Sequence, residues 1–326
     1  MCLKQIQESR RKYCDKLRKL TGINVYWIID NNDFILEEIA KLNKKKQAKS
    51  VTTYDFANMY TNLDHDGIIE EISQIIKSIL KNKFGFTIRG KKAIICKKED
   101  CEIDQDHLIE LLKFVVKNTY FRCGDIIYKQ IHGIPMGTAC APQIANLYLH
   151  SLEYKYMMKI IRTNRTLAQK LSLTGRYIDD LTNINGHEVF DKIKGQIYPS
   201  SLDLIRQNTT TKQADVLDIS IEVCNKSFIT KLYDKRRAFT FESVCFPSPK
   251  GNIPENMCYN VFQNQILRYA KICSKIEDFL DNISTLMNYL MKRGYSKRRM
   301  KWNLKKLRKN SFILERYKND PEIKKL

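Results

Sequence analysis

The sequence lacks most of the features that classify a chain at a glance. Its ten cysteines include no CxxC pair, and zinc sites ordinarily announce themselves by such close spacing. Scattered thiols of this kind read as free, mostly buried side chains of a reducing intracellular compartment. No run of about 18 apolar residues occurs, so no membrane-spanning helix is expected. The opening stretch MCLKQIQESRRKYCDKLRKL has no apolar core of a secretory signal and reads as a basic amphipathic helix. The five histidines, at 65, 107, 132, 150 and 187, show no metal-ligand spacing. There is no internal repeat and no low-complexity tract; Gly and Pro supply the only punctuation. Acidic residues are in deficit, 36 against 57 Lys and Arg, for a formal charge of +21. Such an excess speaks of partners rather than fold. Nucleic acid is the usual partner, because cations near phosphates release condensed counterions, but a ribosome-associated or membrane-surface protein has the same balance.

What is present suits one large or two modest cores: 326 residues, 43% of them hydrophobic. Residues 1–50 read as one or two short helices ending in a polar run. VTTYDFANMYT is β-branched and aromatic, and predicts a strand leading into Asp55. Ile68, Ile69, Ile72, Ile75, Ile76 and Ile79 recur at helical spacing behind a cap at Asp64 or Asp66. Residues 84–97 suit a hairpin around Gly90, and a helix carrying Leu108, Leu111, Leu112, Val115 and Val116 follows. A second hairpin turns at Cys123-Gly124-Asp125. The loop GIPMGTACAP then feeds a helix with Pro142 in its first turn, where a missing N–H costs little. GRYIDDLTNING reads as two short strands folded over an acidic pair, VLDISIEVCNKSFITKLYD as further strands, and the chain turns helical from Pro254. The pattern is α+β followed by an all-α region. The boundaries are 1–50 (N-terminal helical segment), 51–245 (mixed strands and helices) and 246–326 (helices and a basic tail).

Three carboxylates stand out. Asp55 ends an apolar strand, and Asp179 and Asp180 sit in a turn between apolar flanks. Carboxylates among strand residues are expensive to bury unless paired or metal-bound. Magnesium takes hard oxygens, typically one or two carboxylates plus substrate phosphates. Two such ions stabilise the attacking and leaving oxygens of an in-line phosphoryl displacement. An Asp-Asp pair alone is more often a solvated turn, and Tyr60 alone a core aromatic; the order of the elements is what raises both.

That order is a strand Asp with Tyr60 five residues on, a Gly-Pro-Met-Gly loop with its helix, then aromatic-x-Asp-Asp. It resembles motifs A, B and C of the reverse transcriptase palm, and most closely the Penelope-like retroelement branch. The resemblance is carried by YDFANMYTNLDH (54–65), QIHGIPMGTACAPQIANLYL (130–149) and RYIDDL (176–181). VLDISI (216–221), ITKLYDKR (229–236), IPENMCYNVFQNQILRYAKICS (253–274), RGY (293–295) and NVYWIIDNND (24–33) fit the same family.

The resemblance implies a right-hand polymerase with a ferredoxin-like antiparallel palm sheet over 51–245 and a helical thumb from 246. Residues 1–50 would be a remnant of the fingers, since only 54 residues precede Asp55; the fingers are expected to be reduced or missing. It implies an RNA-directed DNA polymerase using an RNA template, a DNA primer, dNTPs and two Mg²⁺ ions, with Mn²⁺ as substitute. Asp55 and Asp179 resemble the bridging ligands, Asp180 a weaker one, and the Phe56 carbonyl lies near one metal. Tyr60 resembles the steric gate against a ribose 2′-hydroxyl. Gly133, Pro135, Met136, Gly137 and Gln143 line the nucleotide. Gln130, Asn146, Tyr177, Tyr233 and the tail residues Lys297, Arg298, Arg299 and Lys301 contact nucleic acid. Lys212 is a candidate proton donor. A nuclear or cytoplasmic site follows, and no endonuclease is expected after the thumb. The rival readings are a truncated, non-catalytic nucleic-acid-binding remnant and an RNA-templated RNA polymerase.

Overall fold

The computed structural model describes residues 1–241, 245–311 and 314, and the side chains of 309 and 310 are not among those described. The chain forms two compact units: 1–34 with 50–211, and 35–49 with 212 onward. The first division falls inside the N-terminal segment read as one piece, and the second falls at 211/212 rather than at 245/246. The end of the region expected over 246–326 lies outside the described residues.

The first unit opens with α1 (Cys2–Thr21), a single long helix where short ones were expected, closed by Gly22 at φ 74°. The next helix, α2 (Asp33–Lys44), begins in this unit and continues into the other. Strand β1 (Val51–Phe56) follows, then the one-turn α3 (Met59–Asn62) and α4 (His65–Leu80). Asp64 caps α4 by accepting from the Gly67 N–H at 2.7 Å. Ile68, Ile72 and Ile76 on its inner face have no exposure, and each such side chain contributes about 1.5–3 kcal/mol over an exposed one. Hairpin β2 (Phe84–Arg89) and β3 (Lys92–Lys97) turns at Gly90 as predicted. Helix α5 (Gln105–Lys117) precedes the hairpin β4 (Tyr120–Cys123) and β5 (Ile126–Lys129), whose turn is Gly124-Asp125.

Helix α6 (Ala141–Thr163) carries proline in its first turn and buries Ile144, Leu147 and Tyr148. Then come α7 (Arg165–Leu171), β6 (Thr174–Tyr177), β7 (Asp180–Ile184), α8 (Val189–Ile197) and β8 (Leu204–Arg206). The hydrophobic pattern did not announce α7, α8 or β8, each short and held by tertiary packing. The sheet order is β6-β7-β1-β8, antiparallel throughout. Along the β6 edge the stretch around Ile28 adds a parallel bridge: Ile29 donates to the Arg176 carbonyl at 2.9 Å, and Arg176 donates to that of Trp27 at 2.6 Å. Trp27 packs edge-on to Phe190 at 5.6 Å.

The second unit contains the antiparallel sheet β9 (Gln213–Val216), β10 (Ile219–Cys224) and β11 (Ser227–Leu232), in the order β11-β10-β9. The end of α2 belongs here because Asn43 brackets Phe228, its Nδ2 donating to the carbonyl and its Oδ1 accepting the N–H. Three helices follow: α9 (Glu255–Ile272), α10 (Ile276–Lys292) and α11 (Lys297–Asn310). Their shared core includes Phe262, Ile266, Phe279, Ile283, Leu290 and Met300. All ten cysteines are free, but only Cys2, Cys14, Cys258 and Cys273 are buried, fewer than expected. Among the described residues no helix is long and apolar enough to cross a membrane.

Candidate active site

Strand β1 is central, with β7 on one side and β8 on the other. Its residues from Val51 to Tyr54, and Phe56, are buried; Asp55 alone is half-buried. Register sets Asp55 directly opposite Asp180 on β7. Asp179 precedes it in the two-residue loop Ile178-Asp179 between β6 and β7, and both aspartates are half-buried. Sequence positions 125 apart thus meet on two neighbouring interior strands of the sheet. Like charges directly opposite on neighbouring strands are destabilising. Among the described residues no three His, Cys, Asp or Glu side chains close into a metal cage. Asp55, Asp179 and Asp180 are hard oxygen donors of the type that magnesium takes. Phe56 buries its ring edge-on to Tyr198 at 4.8 Å.

Tyr60, on α3, is half-buried. Burial, and after it the nearby Asp179 carboxylate, push its phenol above the ordinary value. The loop before α6 is bonded to this helix: Ile134 donates to the Tyr60 carbonyl at 2.6 Å, and Gly133 to that of Leu63 at 2.8 Å. His65 Nε2 donates to the Gly133 carbonyl at 2.8 Å. Gly133 has φ 79°, and a Cβ there would stand 2.4 Å from the Tyr60 oxygen. Gly137 differs: nothing lies within 4 Å of where its Cβ would be. Pro135 is half-buried, and Met136 is 75% exposed.

The other expected contacts divide. Asn146 is buried and its Oδ1 accepts from Arg176 Nη1 at 2.9 Å, so its side chain serves the interior instead of nucleic acid. Gln143 lines a 440 Å³, largely apolar cavity formed with α1 and α5, whose walls include neither Tyr60 nor the three aspartates. Gln130 closes the base of the β4–β5 hairpin by donating its N–H to Thr119 at 2.9 Å. Tyr177 is half-buried and in register with Asp180. Missing from the sequence reading were Arg176 and Glu153, both fully buried and paired. A Glu inside an apolar helix run and an Arg leading into the acidic turn were the available signal, because buried charges come in pairs.

Within the second unit, Tyr233 donates its N–H to the Asp218 carbonyl at 2.9 Å. Lys212 donates to the Lys49 carbonyl at 3.0 Å. Lys297, Arg298 and Lys301 are exposed along α11. Arg299 is engaged with α9: it pairs with Glu255 at 2.7 Å, donates to Asn256 at 2.6 Å and stacks on Tyr259 at 4.2 Å.

Residues 250–305 match the family model of the animal helix-turn-helix domain. No curated protein matches the chain. Among solved structures it is similar to telomerase from Candida albicans in complex with a TWJ fragment of telomeric RNA, at 11% identity and TM-score 0.62, over 98% of this chain and 54% of that one. It is similar to apo telomerase from Candida tropicalis at 12% identity and TM-score 0.53, over 95% and 55%. Telomerase from Candida tropicalis with the same kind of RNA fragment matches at 12% and 0.51, over 96% and 47%. At such identities the likeness is one of fold: an α+β, polymerase-like architecture. The chain spans about half the length of these solved chains.

Proposed function

We propose that the chain is an RNA-directed DNA polymerase of the Penelope-like kind, with a palm around Asp55, Asp179 and Asp180 and a thumb formed by α9 to α11. The observation that carries this reading is the pairing of Asp55 with Asp180 across the sheet, with Asp179 in the adjoining turn and Tyr60 beside it. Two magnesium ions, when bound, neutralise charge on the triphosphate and lower the pKa of the primer 3′-hydroxyl.

The protein's own part is positioning and charge. Asp55 and Asp179 hold the ions, with Asp180 as a weaker ligand. Tyr60 occupies the volume a ribose 2′-hydroxyl needs and so rejects ribonucleotides by clash. Gly133, Pro135, Met136 and Gly137 back the incoming base, and Gly133 keeps that loop tied to Tyr60. Lys297, Arg298 and Lys301 supply sequence-independent phosphate contacts. Two of the similar telomerases are described in complex with a fragment of telomeric RNA, and this and the charge of +21 support a nucleic-acid partner. A reducing compartment, nucleus or cytoplasm, accommodates the free thiols.

The second reading is a non-catalytic nucleic-acid-binding chain, favoured by the helix-turn-helix match over 250–305. Primer extension on poly(rA)–oligo(dT) with dTTP and Mg²⁺ or Mn²⁺, beside Asp179→Ala, separates the two. Extension lost in Asp179→Ala is the expected result. Duplex binding that weakens with salt, without extension, would leave only the binding chain.

A further inference from the structure

Arg176 lies on β6, the strand that ends at the acidic turn, and has no solvent exposure. An arginine has five N–H donors in a fixed fork, and all five are engaged. Nε and Nη2 grip the two carboxylate oxygens of Glu153 on α6, which is equally buried. Nη2 also reaches the Asn146 carbonyl at 3.3 Å, and Nη1 the Asn146 Oδ1 at 2.9 Å. The remaining bond, from Nη1 at 2.8 Å, goes to the carbonyl of Ile178. Tyr198 adds a hydroxyl to Glu153 at 3.0 Å, so the carboxylate is itself held.

Ile178 is the residue that needs holding. It has φ 56°, in the left-handed region where a β-branched side chain is an outlier. It occupies the first position of a two-residue hairpin loop, where a positive φ at that position normally calls for glycine. The next residue is Asp179. Burying an ion pair seldom adds stability over apolar side chains of the same volume, so stability alone does not account for this one. Strained backbone persists where surrounding structure over-determines it, and here the over-determining group is a neutralised, immobile guanidinium.

We propose that Arg176 is a positioning residue: held by Glu153 and Asn146, it fixes the left-handed Ile178 turn and so sets where Asp179 and Asp180 present their carboxylates. The purpose of this device rests on the metal-binding reading above; its geometry does not. Lysine cannot replace it, having a single nitrogen that cannot grip both Glu153 oxygens and the Ile178 carbonyl.

The test compares Arg176→Lys, Ile178→Gly and the double variant in the full chain by Mn²⁺ titration (electron paramagnetic resonance), hydrogen exchange over 177–181, and thermal melting. Arg176→Lys is expected to weaken Mn²⁺ binding about tenfold or more, as lost supporting contacts around a metal do, and to speed exchange across 177–181. Adding Ile178→Gly, which adopts positive φ without strain, should restore Mn²⁺ affinity to within about threefold of wild type while the melting temperature stays below wild type, the Glu153 grip being still lost. A folded Arg176→Lys with unchanged affinity and exchange, or a loss that glycine does not relieve, overturns the proposal. Should Arg176→Lys not fold, Ile178→Gly alone decides: near-wild-type affinity supports an Arg176-held turn, and a tenfold loss refutes it. Should wild type bind no Mn²⁺, the metal reading fails by itself. Exchange over 177–181 in the metal-free protein then judges Arg176, with faster exchange in the variant for it and unchanged exchange against it.

Discussion

Gly133 sits against the carbonyl of Tyr60 so closely that a side chain on it would come to 2.4 Å from that oxygen. The contact joins the loop before α6 to α3 through backbone, which cannot step aside as a side chain can. Gly133→Ala adds this clash to a positive φ, and the left-handed conformation alone costs about 1–2 kcal/mol for an L residue. Denaturant unfolding should show a loss of about 2 kcal/mol or more. Gly137→Ala meets nothing within 4 Å and should stay within about 0.5 kcal/mol of wild type. Equal effects at the two glycines would remove the argument that the loop is pinned at Gly133.

Tyr60 should govern sugar selection. Tyr60→Ala is expected to lower the dNTP-over-rNTP ratio of kcat/KM by about tenfold or more, and Tyr60→Phe to leave it near wild type, because the clash comes from the ring. Single-nucleotide incorporation with dTTP and UTP reads both; unaltered discrimination in Tyr60→Ala removes the gate.

Asp180 faces Asp55 across the sheet. In metal-free protein, Asp180→Asn should raise stability by about 0.2–1 kcal/mol, since a like charge opposite is destabilising. The same variant should extend primers more slowly. Thermal unfolding in EDTA beside primer extension tests the opposition; a variant less stable than wild type contradicts it.

Helix α11 should separate into two kinds of basic residue. Lys297→Ala, Arg298→Ala and Lys301→Ala, all at exposed positions, should each weaken duplex binding and reduce the log–log salt slope by about one, with melting unchanged. Arg299→Ala breaks contacts to Glu255, Asn256 and Tyr259 and should lower the melting temperature instead. Fluorescence anisotropy over a salt series, with melting curves alongside, distinguishes them; a slope untouched by all three exposed changes would take α11 off the duplex.

Much of this was legible in the chain itself. The isoleucine spacing of α4, the glycine turns at Gly90 and Gly124, the proline-led α6 and the strand into Asp55 all follow from local rules of period, turn chemistry and capping. So does the presence of a turn carrying Asp179. These are nearest-neighbour properties, and the backbone obeys them wherever tertiary packing does not object. The short α7, α8 and β8 were not legible, because three to nine residues carry too little period to be told from loop and owe their form to what they pack on.

By itself, then, the sequence determined the types of the longer elements, the strong positive charge and the identity of the residues able to do polar chemistry. Tertiary structure alone decided which of them meet. Register, not spacing, set Asp55 opposite Asp180. Burial turned Asn146 inward, a choice no helical period distinguishes when nearly every face of α6 is covered. Pairing across 23 residues enclosed Arg176 with Glu153, since a charge inside a protein is stable only where a partner of opposite sign is already in place.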